Sequence, residues 1–136
     1  MVRVLLALPS LETSVCDRET RRFNQEAAVL GEQVVVFAIT NDLPLTQKRW
    51  CAAADVERVI TLSDRVLGEF GPACGTLMKE LRLLRRASFV VDGWGMLVYA
   101  GYTASNCDEP NHAAVFEAVQ APRSRLPTAD AAHLLE

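Results

Sequence analysis

Three short apolar runs dominate the first half of the chain: "VRVLLAL" (Val2–Leu8), "QVVVFAIT" (Gln33–Thr40) and "RVITLSD" (Arg58–Asp64). Runs of this length, continuous and not alternating, suit strands covered on both faces. Helical patterns separate them. Strand, helix, strand, helix, strand in that order calls for crossovers of one hand, and so for a parallel sheet with helices on both faces.

The connecting segments carry their own punctuation. Pro9 ends the first run, and Thr13 or Ser14 can cap a helix that extends to about Leu30, where Gly31 stops it. Phe23, Ala27 and Leu30 form its core stripe, while Arg18, Arg21 and Arg22 alternate with Asp17, Glu19 and Glu26 on what reads as the wet side. In "NDLP", Asn41 or Asp42 is the expected cap of a second helix, with Pro44 in its first turn and its end near Asp55. A short helix is expected over Arg65–Phe70, and "GPACGTLMKELRLLRR" reads as mixed loop and turn. "ASFVVDGWGMLVYAGYT" is a β-hairpin whose turn glycines are Gly93 and Gly95. "EPNHAAVFEAVQ" is a final helix. The order is β-α-β-α-β-(α)-β-β-α, a mixed α/β sandwich over 1–120, with 121–136 expected to be a partly ordered tail.

Bulk properties exclude several functions. The net charge is −3 and the basic residues are scattered among acids, so no nucleic-acid footprint is present. No apolar run approaches the roughly 18 residues of a membrane span. A secretion signal would need an apolar core of roughly 7–15 residues, and Val4–Leu8 is shorter. A lipoprotein site at Cys16 would need a leucine-like residue and a small residue where Thr13 and Val15 stand. A cytoplasmic protein is expected. The four cysteines (Cys16, Cys51, Cys74, Cys107) form no C-x-x-C pair, and Cys107 with His112 is at most half a metal site. A structural zinc site is not expected.

Cys16 stands out by position. It falls in the first turn of a helix, after a buried strand and a proline-bearing loop. Unpaired backbone N–H groups and the positive end of the helix dipole favour a thiolate there. Asp17 opposes this, and a cation from elsewhere in the fold would help offset it. The competing reading is a small hydrophobe at a helix–sheet junction.

"LPSLETSVCDRETRRFN" closely resembles the active-site segment of the thiol peroxidases, the atypical two-cysteine peroxiredoxins. The family's proline, threonine and peroxide-attacking cysteine match Pro9, Thr13 and Cys16. "DLPLTQKRWCAA" resembles the family's resolving-cysteine helix and places that role on Cys51, while the active-site arginine falls on Arg86 in "KELRLLRRASFVVD". The similarity is collinear from Val4 to about Gln120.

This resemblance implies a thioredoxin-like mixed sheet flanked by helices. It also implies reduction of hydrogen peroxide and organic hydroperoxides through a Cys16 sulfenic acid, then a Cys16–Cys51 disulfide recycled by thioredoxin or a similar dithiol. Thr13 is expected to hydrogen-bond the thiolate and the incoming oxygen, and Lys48 to compensate partly at Cys51. A homodimer is implied, with neither metal nor other cofactor; charge and apolar run length argue separately against nucleic-acid and membrane partners. Cys74 reads as core packing, Cys107 as an adventitious thiol, Arg85 as a surface arginine and Trp94 as a surface or interface aromatic.

Relative to the family pattern the chain begins at the catalytic strand, as in an N-terminally truncated member. The edge formed by "QVVVFAI" is then expected to be unpaired and apolar, an association hazard. The competing function is a non-catalytic or redox-sensing thioredoxin-like module.

Overall fold

The computed structural model describes residues 1–124. Strand β1 (Val2–Ala7) leads into helix α1 (Ser14–Leu30), β2 (Val34–Thr40), α2 (Pro44–Ala54) and β3 (Val59–Ser63). A single helical turn, α3 (Phe70–Ala73), and a small ribbon of β4 (Leu77–Met78) and β5 (Leu83–Leu84) follow. The hairpin β6 (Ala87–Val91) and β7 (Leu97–Tyr102) precedes α4 (His112–Ser124). The main sheet has the order β3-β2-β1-β6-β7, with β1, β2 and β3 parallel and the last two strands antiparallel.

The two crossovers β1-α1-β2 and β2-α2-β3 step in the same direction across the sheet. With one handedness they must therefore lie on one face, and of the helices expected on both faces the other receives the short α3 turn. Phe23 and Ala27 of α1, Trp50 and Ala54 of α2, and Val115 and Val119 of α4 all join one core with Val4, Leu6, Val36 and Ala38. The opposite face holds a smaller cluster of Leu5, Ala7, Phe37, Ile39 and Phe89, covered by Phe70 and Leu84 from the α3 turn and the ribbon. The order also corrects the edge expectation. β2 lies between β1 and β3, and the edges are β3 and β7.

Local chemistry explains the boundaries. Gly31 adopts φ +84° past the end of α1, a conformation that strains any residue with a Cβ. Pro44 opens α2 at its first position, but the residue before it is Leu43, so neither Asn41 nor Asp42 caps this helix. The helix expected over Arg65–Phe70 is displaced to Phe70–Ala73, because the Asp64 carboxylate accepts the Phe70 and Gly71 amides. Gly71 fits the close packing there, since a Cβ would stand 2.9 Å from Leu84 Cδ2 and 3.1 Å from Leu77 Cβ and would need both leucines to shift. The backbone of α4 runs on to Ser124, past the boundary expected at 120. The rest of the expected tail lies outside the described residues.

Candidate active site

Register brings the site together. Ala7, at the end of β1, pairs with Ala87, at the start of β6. Arg86 therefore arrives beside the loop that leads from β1 into α1. That loop is held by Asp42, which accepts Ser10 Oγ (2.8 Å), the Leu11 amide (2.9 Å) and Thr40 Oγ1 (2.9 Å). Pro9 is buried within it. The carboxylate expected to cap α2 instead ties the end of β2 to the loop that precedes Cys16.

Cys16 occupies the first turn of α1 and is fully buried. Arg86, 1% exposed, donates from Nη2 to Cys16 Sγ at 3.2 Å. Arg86 is thus a cation placed where one would help offset Asp17. Asp17 itself is engaged by Arg21 and by Trp50 Nε1 (3.2 Å), which joins α1 to α2. The Asn106 carbonyl accepts Arg86 Nη2 (2.9 Å) and Nε (3.3 Å), and Asn106 Oδ1 accepts the Arg86 amide. Arg86 Nη1 donates to Glu19 Oε2. A fork of fixed N–H groups is suited to holding several acceptors in one plane, which a lysine could not do.

Glu19 overturns the solvated-face reading of α1, because it is fully buried and faces Arg86. Burial raises its carboxyl, against the pull of Arg86, to about 7. Burial lowers Arg86, but the negative charges of Cys16 and Glu19 more than offset this and hold it above its usual range. The signal for Glu19 was present in the spacing. The stripe Phe23, Ala27, Leu30 extends back by one turn to Glu19 and Thr20, and by another to Cys16. Asn106 had no such signal, because its role depends on where a loop after β7 returns.

Thr13 stands three residues before Cys16, at the start of α1, without the expected bond to sulfur. Its hydroxyl donates to the Ser10 carbonyl at 3.0 Å, and it stands at the N-cap position without a side-chain cap bond. Cys51 lies in the last turn of α2, half-buried against the same core that contains Cys16, and both thiols are free. Burial raises the Cys51 thiol, and a hydrogen bond with Thr61 pulls it partly back; Lys48 is exposed and takes no part in that shift. Arg85 is exposed and donates to the Thr103 carbonyl, so the two neighbouring arginines separate as expected. Cys74 is half-buried against the smaller core cluster, Cys107 is exposed and Trp94 is exposed at the hairpin tip. Among the described residues no group of three His, Cys, Asp or Glu side chains could hold a metal ion, and no helix is long and apolar enough to cross a membrane.

Comparison with known proteins agrees with this geometry. The Redoxin family model matches residues 2–116. A thiol peroxidase of Bacillus subtilis strain 168 is 48% identical over 120 residues, covering 88% of this chain and 71% of that protein. A thiol peroxidase of Listeria monocytogenes serovar 1/2a is 47% identical over 119 residues, with 88% and 72% covered. The crystal structure of a peroxiredoxin-like protein from Aquifex aeolicus superposes with a TM-score of 0.84 at 33% identity, covering 90% of this chain and 72% of that one. A first-turn cysteine under a buried arginine, on this sheet order and with this degree of identity, admits one placement: the chain belongs to the redoxin family, among its thiol peroxidases.

Proposed function

We propose that this thiol-dependent peroxidase uses Cys16 as its peroxidatic nucleophile, Cys51 as its resolving thiol, and Arg86 and Thr13 as its activating groups. The observation that carries the assignment is the 3.2 Å contact between Arg86 Nη2 and Cys16 Sγ, made where both groups are out of water. A guanidinium at that distance favours the thiolate, and its fixed donors can also meet charge developing on the leaving oxygen.

The chemistry runs in three steps. The thiolate attacks one peroxide oxygen, the O–O bond breaks, and Cys16 becomes a sulfenic acid while the leaving oxygen takes a proton as water or alcohol. The Cys51 thiol then attacks the sulfenic sulfur, releasing water and forming the Cys16–Cys51 disulfide. A thioredoxin-type dithiol restores both thiols by exchange. Cys16 is fully covered, so peroxide reaches its sulfur when the first turn of α1 or the Asp42-held loop opens; exposed Thr13 and Ser14 mark that entrance. Disulfide formation needs Cα atoms within about 7 Å, and since both cysteines sit within helices, local unwinding of one or both goes with it. The raised Cys51 thiol suits a group that reacts after Cys16.

A cytoplasmic location and a homodimer complete the proposal. The decisive experiment is peroxide-dependent oxidation of reduced thioredoxin by the purified chain. Turnover is expected for the unsubstituted chain, with loss on Cys16→Ser. A folded, unsubstituted chain without turnover would favour the redox-sensing module instead.

A further inference from the structure

Two anion-forming side chains share one buried cation. Arg86 Nη2 contacts Cys16 Sγ at 3.2 Å and Arg86 Nη1 contacts Glu19 Oε2, with all three side chains removed from solvent. The other carboxyl oxygen, Glu19 Oε1, is buried without a hydrogen-bond partner among the described residues. An ionised carboxylate pays the full desolvation cost at such an oxygen, whereas a protonated carboxyl carries less charge there. The charged groups bearing on Glu19 are Arg86, at the start of β6, and Glu109, in the loop before α4; Cys16, one turn earlier on α1, shares Arg86 with it. The Glu109 charge adds to the effect of burial in favouring the neutral carboxyl. One guanidinium compensates one anion at low dielectric, not two. The cluster is electroneutral when a single proton is held between Cys16 and Glu19.

We propose that Glu19 is the proton store of the peroxide reaction, holding a proton while Cys16 is a thiolate and releasing it when Cys16 is oxidised. This rests on the reading of Cys16 as the peroxidatic group. The step balances: thiolate, protonated Glu19 and hydroperoxide give sulfenic acid, ionised Glu19 and alcohol. The S–O bond forms as the O–O bond breaks, sulfur loses two electrons, and the peroxide gains them. The proton lost by Glu19 ends on the leaving oxygen, carried through solvent admitted with the peroxide. The neutral sulfenic acid no longer competes for Arg86, whose charge then stabilises the Glu19 carboxylate. Glu19 acts through Arg86 and through proton balance, without touching the peroxide.

The test is proton counting in a single turnover, using a Cys51→Ser chain so that oxidation stops at the sulfenic acid. Reduced protein is mixed with one equivalent of hydrogen peroxide in weak buffer near pH 7 with an indicator dye. The chain with Glu19 intact is expected to take up almost no proton from solution. The same chain with Glu19→Gln is expected to take up one proton per Cys16 oxidised, since its thiolate has no internal donor. Equal uptake by the two chains overturns the proposal. Difference infrared spectroscopy of the chain with Glu19 intact gives a reading that does not depend on the variant's folding. A protonated carboxyl band present before peroxide should disappear on oxidation, and its absence beforehand overturns the proposal. Cys16→Ser separates the two levels. If that variant still consumes peroxide equally, the Cys16 reading falls and the proton store falls with it. If it is inert while the proton counts are equal, only the proton store falls.

Discussion

Replacing Arg86 with methionine removes the cation while keeping most of the side-chain volume, and it should act on rate and stability in separable ways. The rate effect follows from losing a fixed donor set aimed at Cys16 and at the leaving oxygen. Loss of one such donor costs about 10²–10³ in turnover, or roughly 2.7–4 kcal/mol. The stability effect depends on Glu19, whose carboxyl stands at about 7 in the fold against an ordinary value of 4.5. A raised carboxyl binds its proton more tightly in the folded state. Its contribution therefore favours the fold at low pH and is lost as pH rises from about 4.5 through 7.

Without Arg86 the two influences that lower Glu19 disappear, and its carboxyl rises further. At pH low enough for both chains to hold Glu19 protonated, the destabilisation caused by Arg86→Met should be nearly constant. Once the fold that keeps Arg86 ionises Glu19, only that fold accommodates the carboxylate, so the difference should grow by about 1.4 kcal/mol per pH unit. Urea denaturation at a series of pH values from 6 to 9 measures this, with both chains carrying Cys16→Ser so that Glu19 alone titrates against Arg86. A difference that stays flat above pH 7, or shrinks, would refute the reasoning about the buried pair.

Three further outcomes are expected. Asp42→Ala should destabilise the chain by about 2–4 kcal/mol, because it orphans donors from Ser10, Leu11 and Thr40, and should slow peroxide reduction as the loop before Cys16 loosens; thermal melts and steady-state assays read the two effects. Thr13→Val should lower turnover at least about tenfold while changing stability by less than about 1 kcal/mol, because its hydroxyl makes one exposed bond to the Ser10 carbonyl. His112 packs in one aromatic cluster with Phe23 and Phe116, both ring nitrogens without a hydrogen-bond partner among the described residues, and burial, with Arg22 adding to it, lowers it below its usual range against the opposing charges of Glu109 and Glu26. A lowered histidine gives stability that is present above about pH 6.5 and lost as pH falls. His112→Phe should thus flatten the acid side of the stability profile, and an unchanged acid limb in denaturant titrations would count against that.

The strand–helix alternation was legible because buried strands and amphipathic helices write themselves as local patterns. The face on which the helices lie, and the central place of β2, depend on the direction of two successive crossovers. A run such as "QVVVFAIT" looks the same at an edge as between two neighbours. Cys16 and Arg86 were legible through motif and resemblance, but Glu19 was masked by an arginine-rich neighbourhood that resembles a solvated face. Its burial becomes meaningful once the Ala7–Ala87 register brings Arg86 over α1. Asp42 was misread for a related reason: an Asp two residues before a proline suits a helix cap, and only the fold shows Ser10, Leu11 and Thr40 converging on it.

The central claim is that Cys16 takes oxygen from peroxide and Cys51 resolves it. Intact-mass and peptide-mass analysis after one equivalent of hydrogen peroxide tests it most directly. The Cys51→Ser chain should gain the mass of one oxygen atom on the peptide containing Cys16. The unsubstituted chain should instead lose two hydrogens and yield a Cys16–Cys51 linked peptide. Oxygen first appearing on Cys51, Cys74 or Cys107, with Cys16 left reduced, would contradict the account.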